Sequence, residues 1–197
     1  MLRDIVVKNR TCRRFQETES IDIDSLKELV ELARYSASGG NVQPLKFMLA
    51  CDPETNRRIF PHLRWAAGLP EWDGPEEGER PAAYIIILGD KDIAAGFGVD
   101  HGIAAQSILL GAVEKGLAGC MLGSIQRNPL RKELGIAERF EILLIVALGT
   151  PAEKAVIDDL EQDGDTRYWR DSDGAHHVPK RKLDELIVDV GKSEGQK

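Results

Sequence analysis

Apolar positions fall in short stretches of helical or strand spacing, separated by polar punctuation. Leu2, Ile5 and Val6 form a small stripe that predicts a first helix ending near Asn9. Ser25-Leu26-Lys27-Glu28 has the capping-box pattern and opens a helix with Leu26, Leu29, Val30, Leu32 and Ala33 on its buried side. The glycines and serines from Ser36 to Gly40 impose a loop. Phe47 to Cys51 predicts a buried strand, and Asp52-Pro53 a helix start that runs to about Leu63. Prolines and glycines then break the pattern from Gly68 to Pro81, an irregular surface loop carrying Trp72. Ala82 to Leu88 is a central strand. Val99 to Lys115 is so apolar that it predicts either a core helix or half of a dimer interface. Ala118 to Leu122 is a strand, Asn128-Pro129 caps a short helix to Gly135, and Glu141 to Leu148 is a strand. Residues 150 to 180 are polar and predict loop, with Tyr168-Trp169 as an aromatic island; Leu183 to Val190 suits a terminal helix or strand. Without repeats or linkers, residues 1–197 are expected to form a single α+β domain.

Composition narrows the function classes. The 197 residues suffice for one substantial core, and 42% hydrophobic with 30% charged residues is a soluble, globular balance. A net charge of −7 argues against an extended nucleic-acid surface but allows a small cationic pocket. The three cysteines, Cys12, Cys51 and Cys120, are too scattered for a disulfide framework or thiolate metal site, so reduced thiols and a cytoplasmic location are expected. No signal-peptide core or membrane-length apolar run is present, so no membrane association is expected.

Three polar segments carry candidate chemistry. Arg10-Thr11-Cys12-Arg13-Arg14-Phe15 and Pro179-Lys180-Arg181-Lys182 offer the cations and hydroxyl that a dianionic phosphate requires; each also reads as a solvated basic run. Ser38-Gly39-Gly40-Asn41-Val42-Gln43-Pro44 places two primary amides one residue apart. In an extended loop both would project to one side, where they suit a uracil-like edge; otherwise this is an ordinary helix-to-strand connection. Gly119 to Gly123 is either a tightly packed strand or a backbone that another group approaches closely. Trp65 and Trp72 are surface staples or a substrate-side wall. His176-His177 has no carboxylate or cysteine at ligand spacing, so no metal is expected. Gly96-Phe97-Gly98-Val99-Asp100-His101 lacks the last glycine of a dinucleotide fingerprint.

These segments, in this order, resemble the FMN-dependent nitroreductase family over roughly residues 3 to 190. Arg10-Thr11-Cys12-Arg13 is similar to the family's opening Arg-x-Ser/Thr-x-Arg element, with Asn9 where Arg often precedes it. Ala37 to Leu45 is similar to its Pro-Ser-x-x-Asn-x-Gln-Pro-Trp loop, with Ala37 for Pro and Leu45 for Trp. Gly116 to Gly123 is similar to its Gly-Leu-Gly-x-Cys-Trp-x-Gly strand, with Met121 for the aromatic, and His177 to Glu185 to its basic return segment. The resemblance implies a mixed, mainly antiparallel sheet flanked by helices, in an intertwined homodimer that builds two FMN sites across its interface. It implies phosphate or ribityl contacts from Asn9, Arg10, Thr11, Arg13, Lys180 and Arg181. It implies ring contacts from Ser38, Asn41, Gln43, Leu122 and Gly123. Hydride would pass from NADH or NADPH through flavin N5 to a small electrophile such as a nitroaromatic or quinone, with no essential side-chain acid or base. The alternatives are a flavin-binding or flavin-free interaction module with little turnover, or a specialised reductase branch such as a dehalogenase.

Overall fold

The structure is a computed structural model that describes residues 1–66, 68, 69, 71–161 and 164–188. The chain divides into a first unit, Met1–Glu153, and a second that begins at Lys154. The first unit contains α1 (Leu2–Lys8), α2 (Ile23–Arg34), β1 (Leu45–Ala50), α3 (Pro53–Ile59), β2 (Ala83–Asp90), α4 (Asp100–Glu114), β3 (Ala118–Leu122), α5 (Arg127–Leu134) and β4 (Phe140–Gly149). Its four strands form an antiparallel sheet in the order β1-β2-β4-β3.

Alternation along the central strand builds two cores. Ile85 and Ile87 join Leu26 and Leu29 of α2, Ile108 of α4, and Val146 and Leu148 of β4. Tyr84 and Ile86 point the other way, to Ile59 of α3, Leu130 of α5, and Ile145 and Ala147. Every residue of β2 is buried, which is why it reads in the sequence as one continuous apolar run. The result is a mixed α+β architecture with helices on both faces of the sheet.

Local chemistry moves several boundaries. Helix α2 starts at Ile23 rather than after Ser25, because the Asp22 carboxylate accepts the Ser25 N–H at 2.7 Å and takes the capping role. Leu32, expected inside, is 40% exposed. The helix after Asp52 ends at Ile59 and continues only as a 3-10 turn, Phe60–His62, where Pro61 removes a backbone donor. Helix α5 begins at Arg127 with Gln126 at the cap position, and Gly135 closes it with a φ of 64°.

The polarity of residues 150–180 predicts loop, and here the structure differs most. The second unit holds β5 (Ala155–Asp159), β6 (Trp169–Arg170) and β7 (His176–Lys180), with β5 parallel and β6 antiparallel to β7, followed by the one-turn α6 (Leu183–Leu186). The expected terminal element reaches Val190, and residues 189 and 190 lie outside the described residues. Side-chain pairs in this sheet stand in for a hydrophobic period. The His177 ring stacks on Trp169 at 4.0 Å, with Nδ1 2.8 Å from Asp158 and Nε2 3.1 Å from Asp171.

Hydrogen bonds that the His177 ring donates to Asp171 and then to Asp158 raise its pKa above the ordinary 6.5. The stabilisation they give is fully present below pH 6.5 and is lost as pH rises through the raised value. Following the His177 ring protons by NMR should give a midpoint above 6.5; one at or below it removes this role.

Candidate functional site

Residues 9–15 run from the end of α1 along β3. The Asn9 N–H donates to the Ile5 carbonyl at 2.8 Å, and Arg10 Nη2 to the Val6 carbonyl at 2.9 Å, so both complete the last turn of α1. Thr11 then bridges Gly119 in parallel register, and the Cys12 N–H donates to the Gly119 carbonyl at 3.0 Å. Residues of β4 and α4 leave no room for a side chain at Gly119. An added Cβ would sit 2.6 Å from the Ala147 carbonyl oxygen and 2.6 Å from Leu109 Cδ2. Gly119→Ala should therefore destabilise the fold by at least about 1–3 kcal/mol, read as a lower urea midpoint; an unchanged midpoint contradicts this packing.

The cations of this segment have different surroundings. Arg13 is buried, its N–H donates to the Glu153 carboxylate, and its guanidinium hydrogen-bonds towards the Cys120 thiol. Burial pushes the Cys120 thiol up to about 11, with Arg13 opposing, and burial reinforced by the Glu153 charge pushes Cys12 up to about 12. Both thiols therefore stay protonated near neutrality and are poor nucleophiles. Arg14 Nε lies 3.2 Å from Glu79, and its guanidinium sits 5.9 Å from the Trp72 ring. Arg10 Nε, like Arg14 Nε, is buried with no hydrogen-bond partner among the described residues; unlike Arg14, Arg10 has no ion pair among them, and it lies beside the exposed Thr11.

The second candidate segment is held by α4. Ser38 Oγ donates to Asp100 Oδ2 at 2.6 Å and accepts the Gln43 N–H at 2.9 Å, while the Gly39 N–H donates to Asp100 Oδ1 at 3.0 Å. These bonds, from Ser38 first, hold the Asp100 pKa below the usual carboxylate range. One-sided projection of Asn41 and Gln43 requires an extended loop, and this loop is not extended. Gly39–Asn41 is a 3-10 turn, and φ is 57° at Gly40, 55° at Asn41 and 53° at Gln43. Left-handed backbone is ordinary for glycine and tolerable for asparagine, but it is strained for glutamine. Asn41 and Gln43 are nevertheless both exposed, and Gln43 Nε2 donates to the Asn41 carbonyl at 3.3 Å. A groove of about 300 Å³ opens beside this loop, with Ala33, Leu45, Phe47 and Ala104 as its apolar lining.

At the end of β3, Leu122 is buried opposite Ile145, and Gly123 is exposed with open space on its Cβ side. Arg127 pins this end. Its Nε donates to the Ile142 carbonyl at 2.8 Å, and its Nη2 lies 3.3 Å from the carbonyls of both Leu143 and Gly123. Leu143 is the extra residue where the β2–β4 register shifts between Ile87 and Leu88, so one guanidinium fills a bulge and fixes the neighbouring strand end.

Trp65 lies in the core at 7% exposure, 5.9 Å from Phe60 and against Gly74, so it offers no open ring face; Trp72 is half-buried beside Arg14. Lys180 and Arg181 belong to the second unit. Both are exposed, and Arg181 Nη1 lies 3.8 Å from Glu185. His177 is engaged by two carboxylates, and no group of three potential metal ligands occurs among the described residues. No helix among them is long and apolar enough to cross a membrane. The sequence did not point to Asp100, Arg127 or Glu153. The signal for Asp100 was a lone acid opening the most apolar helix.

Comparison with known proteins gives a consistent relationship. A sequence model of the nitroreductase family matches residues 6–150. A protein of Archaeoglobus fulgidus that carries a provisional NADH dehydrogenase/NAD(P)H nitroreductase name is 24% identical over 158 residues, 76% of this chain and 85% of that protein. Among solved structures, a nitroreductase family protein of Streptococcus pneumoniae superposes with a TM-score of 0.69 at 16% identity, over 96% of this chain and 100% of the other. One from Clostridium difficile gives 0.65 at 18% identity, over 95% and 96%.

Proposed function

The chain belongs to the nitroreductase family, and we propose that it is an FMN-dependent oxidoreductase that passes a hydride from NADH or NADPH to a small electrophilic acceptor. The observation that carries this is Arg10. Its buried Nε lacks a partner beside the exposed Thr11, on a segment locked to β3, and a phosphate oxygen is the acceptor such a donor suits. The residues present fit the cofactor in this respect.

Arg10 and Thr11 would hold the phosphate, with Asn9 closing the helix turn behind them. Arg13, buried against Cys120, would keep positive charge beneath the strand. Asn41 and Gln43 would read the pyrimidine edge with exposed amides. The backbone N–H of Leu122 or Gly123 would donate to the ring, on a strand end that Arg127 keeps fixed. Bound there, FMN would supply a two-electron carrier able to accept hydride from the nicotinamide and release it to a nitroaromatic, quinone or similar acceptor in turn. The protein's part is orientation and charge placement, with no side-chain acid or base required. Lys180 and Arg181 remain in the proposal as phosphate ligands on the resemblance alone, and the half-buried Trp72, but not the core residue Trp65, as a substrate-side wall. A homodimer acting as one FMN-binding unit in the cytoplasm completes it.

The test is spectroscopic. Purified protein, reconstituted with FMN if colourless, should show a bound-flavin spectrum that NADH or NADPH bleaches without oxygen and an acceptor restores. Mass spectrometry of the heat-released cofactor should give FMN; FAD overturns the cofactor assignment. Flavin that stays oxidised with both donors makes the protein a binding module, and failure to bind any flavin overturns the reading altogether.

A further inference from the structure

We infer that Asp100 is the positioning residue of the Ser38–Gln43 loop, setting through Ser38 the left-handed backbone that presents the Asn41 and Gln43 amides. What those amides recognise rests on the proposed flavin reading; the clamp itself rests on geometry.

Asp100 is only 7% exposed and is the first residue of α4, a 15-residue helix whose Ala104, Ala105, Ile108, Leu109 and Ala112 are buried in the core. It is therefore a charged group on a rigid anchor. An acid in the first turn of a helix ordinarily serves that helix, meeting its unpaired N–H groups or its dipole. Here both carboxylate oxygens are turned to the loop instead, one to the Ser38 hydroxyl and one to the Gly39 N–H. Ser38 passes the constraint on, because the oxygen that donates to Asp100 also accepts the Gln43 N–H. The relay thus runs from a buried helix start to the strained residue at its far end, Gln43 with a φ of 53°. Strained backbone persists only where its surroundings over-determine it, and the Asp100–Ser38 pair supplies that here. Three bonds close on one six-residue loop that packs no buried side chain before Pro44.

The test compares Asp100→Ala, Asp100→Asn, Ser38→Ala and the Asp100→Ala/Ser38→Ala double variant. FMN affinity is read by flavin fluorescence, folding by thermal melting, and the loop by hydrogen exchange at the Gly39 and Gln43 amides. Asp100→Ala should weaken FMN binding about ten- to hundredfold, the loss expected for charge-assisted hydrogen bonds, and should speed exchange at both amides. Asp100→Asn keeps an acceptor for Gly39 and should recover part of the affinity. If Ser38 acts through the clamp, the double variant loses no more than Asp100→Ala alone; additive losses reject the relay. Unchanged affinity and exchange in Asp100→Ala reject the inference while leaving the flavin reading intact. If wild type binds no FMN, the flavin reading fails, and the exchange rates still decide the clamp. Should Asp100→Ala not fold, Asp100→Asn and Ser38→Ala decide by the same readouts.

Discussion

Arg10→Ala should weaken FMN binding about ten- to hundredfold, while Arg14→Ala leaves it nearly unchanged. The contrast follows from what each guanidinium already does. Arg14 is engaged by Glu79 and lies beside Trp72, so its charge is matched within the protein. Arg10 uses Nη2 on the Val6 carbonyl, and its buried Nε has no hydrogen-bond partner among the described residues. A bound phosphate would satisfy a buried donor and gain a charge-assisted bond, together worth about 1.5–3 kcal/mol. Losing the Val6 contact as well costs about 0.5–1.5 kcal/mol of helix-end stability, which a melting curve separates from the binding loss. Titrating FMN into the apo forms of both variants measures the difference. Equal affinity for wild type and Arg10→Ala overturns the phosphate placement. Arg13→Ala is a poorer probe, since it would also disturb the buried Cys120 environment.

Whether an element could be read in the sequence depended on where its stabilising partner lay. Strand β2 was legible because burial on both faces leaves a run of apolar residues from Ala82 to Leu88. Helix α3 was legible because Asp52 caps it from the adjacent position. The start of α2 was misplaced because Asp22 and Ser25 compete for one cap, and only geometry decides between them. The strands of the second unit were missed because His177, Asp158 and Asp171 support them, and such polar pairs leave no hydrophobic period. At the candidate site, Arg10, Thr11, Asn41 and Gln43 stood out by residue type and order. Their supports did not: Ser38 meets Asp100 across 62 positions, and Arg13 meets Glu153 across 140. A lone Asp or Glu carries no mark of such a partner.

Leu110→Arg should convert the proposed homodimer into a folded monomer that no longer retains FMN. Helix α4 buries Ala104, Ala105, Ile108, Leu109 and Ala112 within its own chain. The opposite stripe, Val99, Ile103, Gln106, Leu110 and Val113, follows helical spacing; Val99 is 72% exposed, and Ile103, Leu110 and Val113 are only partly buried. That leaves an apolar seam on a helix with little polar face, the kind of surface a two-fold partner covers. An arginine within such a contact leaves an uncompensated buried charge on each chain, costing about 3–5 kcal/mol apiece. In the monomer the same side chain can extend into water, so secondary structure should survive. If the Ser38–Gln43 loop reads a flavin held mainly by the partner, ligand binding and assembly are linked, and both are lost together. Sedimentation of wild type and variant over a concentration series, with and without FMN, measures both. For wild type, dilution should release FMN and dissociate the dimer in parallel, and added FMN should drive reassociation. A wild-type monomer that keeps one tightly bound FMN rejects the shared site. A variant that unfolds places Leu110 in the core of its own chain instead.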